Sequence, residues 1–116
     1  MENGFSPKEY ARRIARVRDR IQEKGLDGAL IFDPYNVFYM GLYYHPGKRP
    51  VMLYLHHDGT LLAVTPAMEA HEARKVKHFA AVDAYEDNYA AGADRYDCLQ
   101  ATVTNAVGPV SKVAVD

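Results

Sequence analysis

The 116-residue chain has a single cysteine, Cys98. One thiol closes no internal disulfide, which suits a reducing, cytoplasmic setting. Although 48% of the residues are hydrophobic, no run reaches the roughly 18–20 consecutive apolar residues needed to cross a bilayer. The opening Met1-Glu2-Asn3-Gly4 lacks a basic segment followed by an apolar stretch, so no secretory signal is expected. An excess of charge is missing too. Fourteen Lys and Arg stand against fifteen Asp and Glu, a net of -1, so no global field draws the chain to nucleic acid. Repeats, low-complexity stretches and internal linkers are also lacking. What remains fits one domain, residues 1–116, long enough to bury a single core and too short for two ordinary domains.

The elements follow from local pattern. Ser6 is placed to cap a helix, Pro7 fills a position where a missing N–H costs nothing, and Glu9 completes a capping box. Tyr10, Ile14, Val17 and Ile21 recur at helical spacing and Gly25 supplies a stop, which predicts a helix over 7–24. Gly28 to Phe32 is a short apolar run suited to a strand buried on both faces. Asn36 to Met40 reads as a short helix opened by an Asn or Tyr cap and closed by Gly41. Val51–Leu55 and Leu61–Val64 flank Asp58-Gly59, a strong hairpin signal. Thr65-Pro66 repeats the cap-then-proline start and predicts a helix over 66–76, followed by a strand over 80–85. Leu99, Val103, Ala106 and Val107 share one face of a helix over 94–107, which Gly108-Pro109 ends. The last strand is Lys112 to Asp116, and its interior-looking composition suggests a chain cut from something longer. Helices alternating with strands in this way mean an α/β layer fold with a mixed, largely five-stranded sheet flanked by helices.

Motifs for catalysis are scarce. His71-Glu72-Ala73-Arg74-Lys75 begins like a zinc-peptidase helix, but Lys75 stands where H-E-x-x-H needs its second histidine. His56 and His57 are adjacent at the hairpin, and neighbours on a strand point to opposite faces, so a shared metal ion is not expected. His78 has no evident partner. Cys98 lies beside an apolar stripe with no base in sequence context, as a small core residue would. G-x-S-x-G, the P-loop and G-x-G-x-x-G are all missing. No catalytic residue and no metal ligand is assigned.

Two features are less ordinary. Arg12, Arg16, Arg20 and Lys24 form a like-charge stripe at i,i+4 spacing, each pair costing about 0.2–0.5 kcal/mol in an isolated helix. Residues 8–24 hold seven basic and three acidic side chains, a local +4 against -5 elsewhere. Such a stripe is first of all a solvated helix face. Failing that, an acidic surface faces it, with the stretch holding Asp83, Glu86, Asp87, Asp94 and Asp97 the candidate within this chain or across an oligomer, and nucleic acid or a membrane is the remaining alternative. Second, five of the thirteen aromatics (Tyr35, Phe38, Tyr39, Tyr43, Tyr44) fall within ten residues. The loop His45-Pro46-Gly47-Lys48-Arg49-Pro50 follows, and such loops are where interfaces and ligand edges concentrate.

Taken in order, Gly25-Leu26-Asp27-Gly28-Ala29-Leu30-Ile31, then Pro34-Tyr35-Asn36-Val37-Phe38-Tyr39-Met40-Gly41, then Arg49-Pro50, resemble the N-terminal domain of the creatinase/prolidase family. Its members show an arginine-rich first helix, "GLDALLI", "P-x-N-x-x-Y-x-x-G" and an "R-P" opening the next strand. Asp58-Gly59, Thr65-Pro66 with Glu69, and the closing Lys112 to Asp116 fall in the same order, so the resemblance spans residues 8–116. Met40-Gly41-Leu42 departs from it, since many members have Thr or Ser before the glycine and an aromatic after it.

The resemblance implies a ribonuclease H-like mixed sheet and a non-catalytic role. It implies an Xaa-Pro dipeptidase or aminopeptidase as parent, a metallopeptidase whose two Mn, Co or Zn ions sit in a separate pita-bread catalytic domain that this chain lacks. The chain alone is then expected to be inactive. Its implied contributions are to dimer contact, to docking on its own catalytic domain and to shaping substrate access. Arg49 is the implied carboxylate holder, with His45, Tyr43 and Tyr44 at the substrate edge and Tyr35, Tyr39, Arg12, Arg16 and Arg20 at an interface. The parent is expected to be a cytoplasmic homodimer without nucleic-acid or membrane partners. A metal-independent, creatinase-like amidinohydrolase is an alternative parent, and a stand-alone binding or dimerisation module is an alternative of another class. Exposed aromatics also make self-association of the chain an expectation.

Overall fold

A computed structural model describes residues 5–42, 50–85, 95–109 and 112–116, with backbone alone for 95–100. The elements run α1 (Pro7–Glu23), β1 (Gly28–Ile31), α2 (Pro34–Tyr39), β2 (Met52–His56), β3 (Leu61–Pro66), α3 (Ala67–Ala73), β4 (Ala81–Tyr85), α4 (Arg95–Val107) and β5 (Val113–Val115). They form one five-stranded sheet in the order β4-β3-β2-β1-β5. The hairpin β2–β3 and the pair β1–β2 are antiparallel, while both outer pairs, β3–β4 and β1–β5, are parallel. The sheet is therefore mixed and flanked by helices.

β2 lies at the centre, and its unbroken apolar run feeds two cores. Leu53 and Leu55 point into the larger one, with Ile21, Ile31, Val37, Met40 and Leu61, against which Ile14 and Val17 of α1 pack. Met52 and Tyr54 point the other way, to Val64 and Tyr85, where Val103, Ala106 and Val107 of α4 close the opposite face. Strand alternation thus separates one helical layer holding α1 and α2 from a second holding α4. With Leu53 and Leu55 fully buried, truncating either to Ala would cost about 2–5 kcal/mol.

Local signals account for most boundaries. Ser6 Oγ accepts the Glu9 N–H at 3.1 Å and Pro7 opens α1. Gly25 adopts φ +67°, and Leu26 N–H→Ile21 O with Gly25 N–H→Gln22 O (both 3.1 Å) completes a Schellman stop. Asp58 Oδ1 accepts the Thr60 N–H at 2.8 Å and Gly59 takes φ +96°, making the hairpin turn.

Three expectations need correction. The start of α2 is Pro34, and its cap is Asp33, whose side chain accepts the Tyr35 N–H at 2.8 Å. Asp33-Pro34 is itself a cap-then-proline pair, which outcompetes an Asn or Tyr cap two residues later. Thr65 does not cap α3, because β3 continues through Pro66 to pair with Ala84 and Tyr85 of β4. The Thr65 hydroxyl, fully buried, donates to Pro66 O instead, and α3 begins at Ala67 without a side-chain cap. The capping box is half formed, since Ser6 caps Glu9 while the Glu9 carboxylate is taken by Arg12 and Arg13.

Candidate functional site

Four of the candidate residues, Tyr43, Tyr44, His45 and Arg49, lie outside the described residues. Those that are described do not converge on one place. Tyr35, 83% exposed, stands on the outer side of α2. Arg12, Arg16 and Arg20 are exposed along α1. Arg12 binds Glu9 through two nitrogens, at 3.1 and 2.6 Å, and Arg20 lies 3.7 Å from Glu23. The acids paired with the stripe among the described residues are thus on its own helix. Of the acidic stretch expected to face it, Glu86, Asp87 and Asp94 lie outside the described residues, as does the side chain of Asp97.

Tyr39 leads to a cluster that pattern reading passed over. Its half-buried ring sits under the guanidinium of Arg13, 4.4 Å from ring centre to Cζ, and Phe5 covers the same group at 4.0 Å. Arg13 is only 8% exposed. Its Nε donates to Glu9 Oε2 at 2.9 Å and its Nη1 to Tyr39 O at 2.8 Å. The paired guanidinium groups hold the Glu9 carboxyl down to about 2, with the Arg12 hydrogen bonds the larger cause and Arg13 next. A signal for Arg13 did exist. It falls three residues after Tyr10 and four before Val17, on the apolar face, where a charge must find partners.

His78 also has partners. Its Nε2 donates to Met40 O at 2.7 Å, its ring stacks on Tyr10 at 4.6 Å, and its edge meets Phe79 at 5.2 Å. Gly41, at φ +125°, lies so close that a Cβ there would collide with the His78 ring. His56 and His57 do not diverge as strand neighbours would. Their ring centres are 4.2 Å apart because β2 ends at His56 and His57 already belongs to the turn. His56 Nδ1 lies 2.8 Å from the Tyr54 hydroxyl, a phenol that burial pushes above its ordinary value. Among the described residues, no three His, Cys, Asp or Glu side chains gather closely enough to hold a metal ion.

A groove of about 300 Å³ opens between α1, α2 and the paired strands β1 and β5, lined by Val17, Ile31, Tyr39, Met40, Ala114 and Asp116. Asp116 is committed to structure. Its carboxylate accepts the N–H groups of Phe32 (2.7 Å) and Asp33 (3.2 Å) and the Asn36 side-chain amide (2.8 Å), tying β5 to the start of α2. Apolar walls and one spoken-for carboxylate make a surface for packing, with no group among the described lining residues poised to activate a nucleophile.

The creatinase/prolidase N-terminal domain model matches residues 13–116, nearly the whole chain. The chain belongs to that family. Its fold recurs in a proline dipeptidase from Streptococcus pneumoniae (TM-score 0.72, 22% identity, 90% of this chain and 73% of that one). It recurs in the creatinase/prolidase N-terminal domain of an X-Pro dipeptidase from Streptococcus pyogenes (TM-score 0.71, 20% identity, 91% and 76%). A prolidase from Thermococcus sibiricus contains it as well, with TM-score 0.68 and 24% identity, where 92% of this chain covers 28% of that chain. No curated protein sequence matches. Within the creatinase/prolidase N-terminal domain, Pro34 opens α2, Asn36 reaches across to Asp116, and Gly41 makes room for His78. No helix among the described residues is long and apolar enough to cross a membrane.

Proposed function

We propose that this chain is the non-catalytic N-terminal domain of an Xaa-Pro dipeptidase-like metallohydrolase, and that it supports the dimer and shapes substrate access to a separate catalytic domain. The observation that carries this reading is the family match over residues 13–116, joined to a shared fold with proteins named as proline dipeptidase and prolidase. The Thermococcus sibiricus prolidase, in which the matching region is 28% of the chain, supports a larger parent with room for catalysis elsewhere. Any metal ions belong to that other domain, so no chemical step is assigned to these residues. Arg49 is assigned to the substrate carboxylate, since its planar fork of donors suits a bidentate contact. His45, Tyr43 and Tyr44 belong to the same edge, and Tyr35, Tyr39, Arg12, Arg16 and Arg20 to contacts with other parts of the assembly.

The test uses the full-length protein. Arg49→Ala is expected to raise KM for Xaa-Pro dipeptides with a smaller change in kcat, the signature of lost ground-state binding. An unchanged KM together with an unchanged dimer fraction overturns the assignment. The 116-residue chain incubated with Mn and an Xaa-Pro dipeptide should give no turnover, and robust turnover would contradict the division of labour.

A further inference from the structure

The seven residues 43–49 join Leu42 to Pro50, and one stretch of chain, Val76 to Tyr85, grips the described residues on both sides of them. On the first side α2 ends in a tight reversal. Gly41 N–H donates to Phe38 O at 3.0 Å and Leu42 N–H to Val37 O at 3.1 Å, with Gly41 at φ +125°. That pair of bonds is a Schellman stop. Beside it His78 Nε2 donates to Met40 O at 2.7 Å. A Cβ on Gly41 would meet the His78 ring and would lie 3.5 Å from the Val76 side chain. Val76 and His78 therefore fix where the chain leaves α2.

On the second side the Tyr85 hydroxyl donates to Pro50 O at 2.6 Å. Tyr85 is 2% exposed. It is pinned at the end of β4 opposite Pro66 and packs with Met52, Tyr54 and Val64. The sheet order puts β3 between β4 and β2, so this phenol reaches past a whole strand to the residue before Val51. Proline's ring locks its φ. Holding Pro50 O then fixes the remaining backbone freedom of the residue directly after Arg49. Tyr54, in the same core, spends its hydroxyl at the other end of β2, 2.8 Å from His56 Nδ1 and 3.4 Å from Asp27 O.

We propose that the stretch from His78 to Tyr85 is a brace for this connection, and that Tyr85 and His78 are positioning residues for Arg49. The inference rests on the reading of Arg49 as holder of the substrate carboxylate. A connection closed between two fixed ends samples fewer arrangements than one with a loose end. A guanidinium carried on it then gives up less freedom when it binds a carboxylate, which is affinity gained without a further contact. Neither Tyr85 nor His78 needs to touch the substrate. Each acts through the backbone on its own side of the connection.

Tyr85→Phe deletes only the hydroxyl, and Tyr54→Phe makes the same change at the other end of β2. In the 116-residue chain with carbon-13-labelled carbonyls, Y85F should shift the Pro50 carbonyl resonance and Y54F should not. In the full-length protein Y85F should raise KM for Xaa-Pro dipeptides about three- to tenfold with kcat nearly unchanged, and Y54F should move neither. His78→Ala should show the same KM pattern from the other side. Because both residues act through Arg49, Y85F should add nothing to KM in the R49A background. If Y85F melts early, that background decides alone, since a merely structural loss lowers the apparent kcat and adds to R49A. An unmoved Pro50 resonance, a parental KM in Y85F where R49A raises it, or additive KM effects would each overturn the proposal. An R49A variant with parental KM overturns the carboxylate-holder reading, and the role of the brace with it, so the R49A arm tells the two failures apart.

Discussion

Arg13 and His78 hold two successive carbonyls at the end of α2: Arg13 Nη1 donates to Tyr39 O at 2.8 Å and His78 Nε2 to Met40 O at 2.7 Å. The last carbonyls of a helix have no intrahelical donor. Here they are satisfied by side chains that arrive from α1 and from the segment between α3 and β4, and both side chains contact the ring of Tyr10. The C-terminus of α2 is thereby tied to elements far away in sequence.

Removing Arg13 should therefore be costly in a way that removing Arg12 is not. Arg13→Ala strips a nearly buried guanidinium from between Phe5 and Tyr39, leaves Tyr39 O short of a donor and frees one side of Glu9. A loss of about 2–4 kcal/mol is expected from urea unfolding. Arg12→Ala removes an exposed, solvent-screened pair with Glu9 and should cost far less than Arg13→Ala. Arg13→Lys should recover little, because an ammonium cannot serve two acceptors in a planar fork while stacked between rings.

Gly41 and His78 are coupled by space. At φ +125°, Gly41 occupies backbone territory that other residues rarely adopt, and a Cβ would also meet the His78 ring. Gly41→Ala is expected to destabilise by about 2–3 kcal/mol, part backbone strain and part collision. His78→Ala should remove the collision but not the strain. A double-mutant cycle measured by denaturation should thus give the pair a non-additive energy of about 1 kcal/mol. Strict additivity would show that the ring does not limit the site.

The framework of the fold was legible because its signals are local and mutually consistent. Ser6-Pro7, Gly25, Asp58-Gly59 and the alternating apolar runs each specify an element on their own terms. The Thr65-Pro66 misreading shows where this stops. The same dipeptide reads as a helix start in isolation, but pairing with Ala84 and Tyr85 of β4 keeps it in the sheet, and tertiary pairing overrides a cap propensity. The Arg13–Tyr10–His78 cluster was harder to read, since its partners are separated by more than sixty residues and two of its contacts are to backbone carbonyls, which carry no side-chain signature. Arg13 also lies off the stripe of Arg12, Arg16, Arg20 and Lys24, so the charge pattern does not single it out.

Glu9 supplies a pH signature. Its carboxyl is held at about 2, below the ordinary 4.5, mainly by hydrogen bonds from Arg12 and then Arg13. A lowered folded-state value means that the unfolded chain takes up the proton first as acid is added. The stabilisation is therefore complete above the unfolded value and drains away as pH falls from about 5 toward 2. Thermal midpoints should drop over that window, and Glu9→Gln should flatten the drop while lowering stability near neutrality. Carbon-detected NMR of the Glu9 carboxyl should show a midpoint of about 2, well below the ordinary 4.5. A midpoint at the ordinary value would mean the Arg12 and Arg13 contacts do not persist in solution.

Asp116 offers a prediction about the sheet edge. Its carboxylate takes the N–H groups of Phe32 and Asp33, just past the end of β1, together with the Asn36 amide. Asp116→Ala should leave those two backbone donors without their partner at the point where the chain turns into α2, costing about 1–3 kcal/mol. Asn36→Ala removes only one of the three donors and leaves the backbone contacts intact, so its cost should be nearer 1 kcal/mol. The distinguishing measurement is amide hydrogen exchange. In Asp116→Ala, protection should fall at Phe32 and Asp33 while the central β2–β3 amides keep theirs, because β5 is bonded only to β1 among the described strands. Loss of protection across the whole sheet would instead make Asp116 a keystone of global stability, and unchanged protection at Phe32 and Asp33 would remove it from the β1–α2 junction altogether.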